Sequence, residues 1–266
     1  MTTKLDDSGV MFADGTVMGS AKQLGMRNKL INGNFGINQR GVSGTVVLAA
    51  GAYGHDRFKA GASGCTYTFA TSANVTTLTI SAGSLQQVVE GLNLQSGTHV
   101  LSWSGTAQGS LDGGAYGASG AVTATAVGGT NMTVEFNTGT VSLAQLEEGS
   151  LASRFEQRLI GVELALCQRY AETLSYPISL PLLAVVYSNG LGAVGYAPFK
   201  VGKRVAPTVS FVPGSRFIFP SNIGGATGTL SGTSSVDGVG ISTTNTIASA
   251  SAGWIDTFSL FADSEL

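Results

Sequence analysis

Charge is what this sequence has least of. Only 11% of its 266 residues are Asp, Glu, Lys or Arg, against roughly 25% in an average soluble domain. Mean hydropathy is positive at +0.24. A lone monomer of this composition would show water a surface of Ser, Thr, Gly and apolar groups, and such surfaces associate. The composition therefore predicts an obligate oligomer. The few charges nearly cancel, to a net of -2, so bulk electrostatics gives no nucleic-acid partner. Long apolar runs are missing too. None approaches the ~20 residues of a membrane helix, and the opening MTTKLDDSG lacks the apolar core of a signal peptide. No membrane insertion is expected.

Chemistry-bearing residues are equally scarce. The two cysteines, Cys65 and Cys167, are far apart and fit neither a disulfide framework nor a zinc signature. There is no G-x-S-x-G elbow, no H-E-x-x-H and no C-x-x-C. His55 and His99 are the only histidines, and the abundance of Ser gives a Ser-His-Asp triad little meaning. The run Gly190-Leu191-Gly192-Ala193-Val194-Gly195 matches G-x-G-x-x-G. A dinucleotide site requires a helix to start there and an acid about 20 residues on. Pro198 interrupts such a helix, and no acid follows before Asp237. The run reads as a turn between strands. The expectation is no enzyme, no cofactor and no metal.

Glycine is plentiful, at 38 residues, and it punctuates a strand pattern. Within 28–158 the apolar residues alternate as in half-buried strands: Cys65, Tyr67 and Phe69; Leu78 and Ile80; His99, Leu101 and Trp103; Met132, Val134 and Phe136. Recurrent Gly and Asn turns between them predict an all-β fold, an antiparallel sandwich or jelly roll. Before it, residues 1–27 form a short segment with a hairpin. There Val10-Met11-Phe12 and Thr16-Val17-Met18 flank the turn residues Asp14 and Gly15. A linking helix is expected within 159–173, spanning about 161–172, with Leu164, Cys167 and Ala171 on one face. Residues 174–266 return to strands at 179–187, 192–197, 208–212, 216–219 and 254–262, a second, smaller β domain. Residues 222–253 are so rich in Gly, Ser and Thr that they read either as a floppy loop or as thin strands ordered by trimer contacts.

Five stretches, in order, resemble a module of bacteriophage tail fibres and receptor-binding proteins. They are Leu30-Ile31-Asn32-Gly33-Asn34-Phe35-Gly36-Ile37-Asn38-Gln39-Arg40-Gly41; His55-Asp56-Arg57-Phe58; Ala144-Gln145-Leu146-Glu147-Glu148-Gly149-Ser150; Arg154-Phe155-Glu156-Gln157-Arg158; and Glu163-Leu164-Ala165-Leu166-Cys167-Gln168-Arg169-Tyr170. Phe199-Lys200-Val201 and Arg204-Val205-Ala206-Pro207-Thr208-Val209 are similar to the start of the domain that often follows. Where the module usually has Trp, this chain has Phe58. The resemblance implies a carbohydrate-binding-module-like jelly roll in a homotrimeric virion protein. Its N-terminal segment would attach to other tail or baseplate proteins, and its partner would be host surface polysaccharide. Two alternatives remain: a head-decoration or collar fibre without a receptor role, and a glycan-degrading tailspike. The tailspike needs a carboxylate pair in a chain where acids are sparse.

Sugar recognition uses aromatic faces and planar polar groups. Trp103, Tyr53, Tyr116 and Trp254 are the aromatic candidates, set against the plainer reading of core or interface side chains. No Asp or Glu falls between 173 and 236, while Lys200, Lys203, Arg204 and Arg216 do. Lys200, Lys203 and Arg204 are accordingly candidates for an anionic glycan, against a reading as scattered solvated cations. Asp56 and Arg57 are expected to form a structural ion pair. Glu147, Glu148 and Glu156 are expected to hold Arg154 or Arg158, or to join Asn32 and Asn34 around a calcium, which would require six to eight oxygens.

Overall fold

The computed structural model describes residues 26–176, 193–211, 230–243 and 254–266, together with the short strands 4–6, 9–11, 17–18, 185–186 and 216–218. The Asp14-Gly15 turn, the loop at 188–190, most of 179–187, residues 222–229 and 244–253, and the side chain of Trp254 lie outside the described residues. The described residues are mostly β, in antiparallel sheets, with one α-helix among them. The chain divides into two compact units. Unit 1 is Met1–Gly36, Val42–Gly54 and Phe58–Leu159; unit 2 is Ile37–Gly41, His55–Arg57 and Ile160–Leu266. Two short early segments thus belong with the smaller C-terminal sheet unit.

Unit 1 opens with strands β1 (Lys4–Asp6), β2 (Gly9–Met11) and β3 (Val17–Met18), paired in the order β1-β2-β3. β2 and β3 meet at Val10↔Met18 and Met11↔Val17. An eight-stranded sheet follows: β4 (Val46–Leu48), β5 (Lys59–Ser72), β6 (Val75–Val89), β7 (Gly97–Ser104), β8 (Gly109–Leu111), β9 (Val122–Ala126), β10 (Met132–Phe136) and β11 (Gly139–Glu148). Its main path is β4-β5-β6-β11-β7-β9, and β10 joins β6 to β8.

The long β5–β6 hairpin organises this unit. In β6 the core-facing positions are Leu78 and Ile80 before Gly83, then Leu85, Gln87 and Val89 after it, with Thr76 and Ser84 also buried. The inward phase therefore switches from even to odd positions. A strand with an unbroken pleat would turn one of these sets to solvent. The register slips between Ala60/Cys65 and Thr66/Tyr67, and this bulge restores both halves to the core side. Gly83 permits it. Its φ is +71°, and a Cβ there would lie 2.0 Å from the Gly64 carbonyl oxygen. The first half of β6 then pairs with β5 and β11, and the second with β10. Phe58, Tyr67, Leu78, Leu85, Leu101, Val134, Phe136 and Leu146 fill one continuous core, each at most 1% exposed. Each such side chain contributes ~1.5–3 kcal/mol by leaving water.

Unit 2 begins with α1 (Ile160–Gln168). The helix is shorter than the expected 161–172 because Ala171 already starts β12 (Ala171–Tyr176), paired along its length with β19 (Trp254–Asp263). The other strands are β13 (Val185–Val186), β14 (Ala193–Pro198), β15 (Thr208–Phe211), β16 (Arg216–Ile218), β17 (Leu230–Ser234) and β18 (Gly238–Thr243). They make two four-stranded sheets, β12-β19-β15 with β16 on β19, and β13-β14-β18-β17. β17 and β18 arise inside the Gly-, Ser- and Thr-rich stretch and pair within the chain itself. Residues 193–198 are a strand, so no helix follows the G-x-G-x-x-G run.

Candidate functional site

The recognised sequence stretches are wired to one another by buried polar side chains. In unit 1, residues 28–34 run beside β11. Lys29 N donates to Leu146 O at 2.7 Å, and Ala144 N donates to Gly33 O at 2.7 Å. Asn28 carries most of the junction. Its Nδ2 donates to Ala144 O at 3.0 Å, and its Oδ1 accepts from Leu30 N and Leu146 N. Gly33 is required at this approach, since a Cβ would stand 2.1 Å from the Ala144 carbonyl oxygen. Glu156 accepts from Asn28 N at 2.9 Å, and Arg158 donates to Leu30 O and Asn28 O. Glu147 accepts from Ser153 N and Oγ and from Gln145 Nε2. These carboxylates are thus committed to protein donors. Among the described residues no group of three or more His, Cys, Asp or Glu is placed to hold a metal ion.

Unit 2 contains the second junction. Arg57, 1% exposed and at φ 72°, stacks its guanidinium 3.5 Å from the centroid of the Tyr170 ring and donates to Glu265. Arg40 donates to Asp263 at 3.1 Å and lies 3.5 Å from Glu265. Asp56 accepts from Gln39 N at 2.8 Å and from Gln39 Nε2 at 2.5 Å, and Gln39 Nε2 also donates to Ala171 O. Asp56 and Arg57, expected to form a structural ion pair, lie in the turn before β5, where Asp56 bonds Gln39 and Arg57 bonds Glu265 instead. Burial raises the Asp56 and Glu265 carboxyls above their ordinary values, against the pull of Gln39 and Arg40 on Asp56 and of Arg57 and Arg40 on Glu265. Burial also lowers His55 to about 4.

The remaining candidates separate by burial. Lys203 is not a surface cation. Its Nζ is fully buried, 2.5 Å from Glu172 Oε2 and 2.6 Å from Gln168 O, and burial lowers its pKa against the opposing Glu172 charge. Arg204 is spent on Ser264 O and Glu265 O. Both corrections follow from a backbone that turns around these side chains and presents carbonyls to them. Lys200 alone of the three is exposed. Trp103 is 7% exposed, donates Nε1–H to Ala107 O at 2.9 Å and packs edge-on against Phe136. It is a core residue.

Tyr53 and Tyr116 frame a different surface. On the outward side of β5, β6 and β10, register aligns Lys59 with Gln86, Gln86 with Glu135, and Glu135 with Ser110. All of Lys59, Gln86 and Glu135 are half-buried. Tyr116 is 40% exposed, and its pKa is pushed up to about 12 by burial and by the Glu135 charge. At the other side Tyr53 bridges to Lys59, whose Nζ is 5.9 Å from the tyrosine ring. Gly61 lies beneath. A Cβ there would meet Ser84 Oγ at 2.1 Å, Glu135 Oε1 at 3.0 Å and Gln86 Nε2 at 3.4 Å. Sequence reasoning named the two tyrosines and missed Lys59, Ser84, Gln86 and Glu135, which only cross-strand register brings together.

Compared with known proteins, the chain matches no family model, no curated protein and no solved structure. Among the described residues no helix is long and apolar enough to cross a membrane.

Proposed function

We propose that this chain is a structural and adhesive subunit of a phage tail fibre or receptor-binding apparatus, working as a homotrimer that holds host surface glycan. Unit 1 is then a jelly-roll sandwich of the carbohydrate-binding-module kind. One observation carries the reading: members of the ordered sequence pattern, far apart in the chain, bond to one another. Gly33 and Leu30 meet Ala144 and Arg158 in unit 1, and Gln39 bonds Asp56 while Arg57 stacks on Tyr170 in unit 2. A chance set of short matches would have no reason to be mutually bonded. The same bonds give the pattern a scaffolding role, as a structural subunit requires. β11, inserted between β6 and β7, supports a jelly-roll crossover. Leu92, Leu151 and Ile160, exposed at 86%, 70% and 64%, support burial by further copies.

The test is to locate the chain in electron cryomicroscopy maps of whole particles and to compete adsorption with purified protein. The expected result is a trimer, three times the 27.0 kDa chain, at the tail tip, and fewer particles adsorbed. A position on the collar or a capsid vertex, with adsorption unchanged, would overturn the receptor role.

A further inference from the structure

We infer that the outward face framed by Tyr53 and Tyr116 in unit 1 is a binding site for an uncharged oligosaccharide. The inference rests on the reading of the chain as a glycan-binding subunit, and it places recognition on unit 1 rather than on the C-terminal cations.

The face is built rather than incidental. Leu85, Gln87, Val134 and Phe136 point into the core, so the pleat forces Ser84, Gln86 and Glu135 outward on the same strands. Register lines up Lys59, Gln86 and Glu135 across three adjacent strands. At ~4.8 Å per strand the row extends for about 10 Å between Lys59 and Glu135, which suits several sugar units rather than one. Their half-burial means that the side chains are already restrained, so less rotamer freedom is lost on binding.

The chemistry selects the ligand. The row has one cation, one anion and one amide, hence no net charge, and offers both donors and acceptors. A neutral polyhydroxylated chain matches that set, while an anionic one would meet Glu135. Tyr116 lies near the Glu135 charge and remains 40% exposed. A ring with part of its surface free is suited to the apolar face of a pyranose. Its raised pKa keeps the hydroxyl protonated as a donor. At Gly61 the missing side chain lets Ser84, Gln86 and Glu135 converge, because any Cβ would displace the Ser84 hydroxyl. A peptide strand has no opening here, since β6 and β10 are each paired on both sides.

The experiment titrates the full chain by calorimetry with neutral hexasaccharides (cellohexaose, mannohexaose and maltohexaose) and with oligogalacturonate as the acidic comparator. Tyr116→Ala and Gln86→Ala should each weaken the neutral ligand about tenfold or more. Lys200→Ala should leave it unchanged, and thermal melts should show Tyr116→Ala folded. Binding that survives both substitutions, binding of the acidic comparator alone, or no binding of any neutral hexasaccharide overturns the site. If the protein still blocks adsorption in those cases, the receptor-binding reading stands and only this site falls.

Discussion

The two units solve the same problem with different material. Unit 1 closes around a continuous apolar core in which Leu30, Phe58, Leu101 and Phe136 are fully or almost fully buried. Among its described residues unit 2 buries strong ion pairs: Arg57 with Glu265, and Lys203 with Glu172. Apolar burial is tolerant of detail, and a lost methylene is felt in proportion to its volume. A buried ion pair is unforgiving, because removing one partner leaves an uncompensated charge in a poor solvent. The apolar core of unit 1 should therefore degrade gradually under mutation, whereas the ion-paired junctions of unit 2 should fail abruptly and respond to protons.

The sharpest test of that contrast is Lys203→Met. It strands Glu172, whose side chain is fully buried, and should destabilise unit 2 by about 3–5 kcal/mol. Adding Glu172→Leu should recover most of the loss. Hydrogen exchange at 171–176 reads both, and a double variant no better than the single would mean that charge is not what matters there. In unit 1, Leu101→Ala should cost about 2–5 kcal/mol, with no second-site charge variant able to restore it. Amide protection in β7 and β11 is the measurement.

The pH arm comes next. His55 has its folded pKa lowered by burial to about 4 from an ordinary 6.5. Between those values the unfolded chain takes a proton that the folded one refuses. The His55 contribution is thus fully present above about pH 6.5 and falls by about 3 kcal/mol as pH drops to 4. Asp56 and Glu265, whose folded pKa values are raised, act in the opposite direction and gain stability as pH falls. His55→Asn removes only the first effect, so exchange protection in unit 2 should fall less on acidification in the variant than in the parent. Parallel curves would exclude the histidine. Gly83→Ala combines a left-handed φ, worth about 1–3 kcal/mol, with a Cβ 2.0 Å from the Gly64 carbonyl oxygen, so amide protection should be lost first in the β5–β6 hairpin.

Strand positions were legible in the sequence because period-two alternation is local. Tyr67, Leu78, Leu101 and Val134 announce their own burial. The phase switch at Gly83 was not legible, since a bulge is defined only against the strand opposite. Charge was misread for the same reason. Lys203 and Arg204 looked like free cations because acids are absent from 173 to 236, yet Glu172 and the carbonyls of Gln168, Ser264 and Glu265 reach them through the fold. A boundary drawn at 173/174 likewise separates Thr173 from Leu174 within β12, whereas the contacts of Gln39 and Arg57 tie residues 37–41 and 55–57 to that half. An exchange of 174–266 alone would therefore leave behind Arg40 and Arg57, the partners of Asp263 and Glu265.

The separation of Arg57 from Glu265 also sets a clock. The loop tip at 55–57 is closed early by a hydrogen bond from Gly54 N to Phe58 O, but the carboxylate that neutralises Arg57 lies 208 positions later. At about 5–20 residues per second on the ribosome, it arrives roughly 10–40 s after the arginine. Every strand of the larger unit has emerged well before then. During that interval the nascent chain displays a charged tip that cannot yet be stowed, so the fold is sealed by one of its last ion pairs rather than nucleated by it. Chains held on the ribosome before Glu265 emerges should leave Arg57 open to a guanidinium-specific reagent, and released chains should protect it.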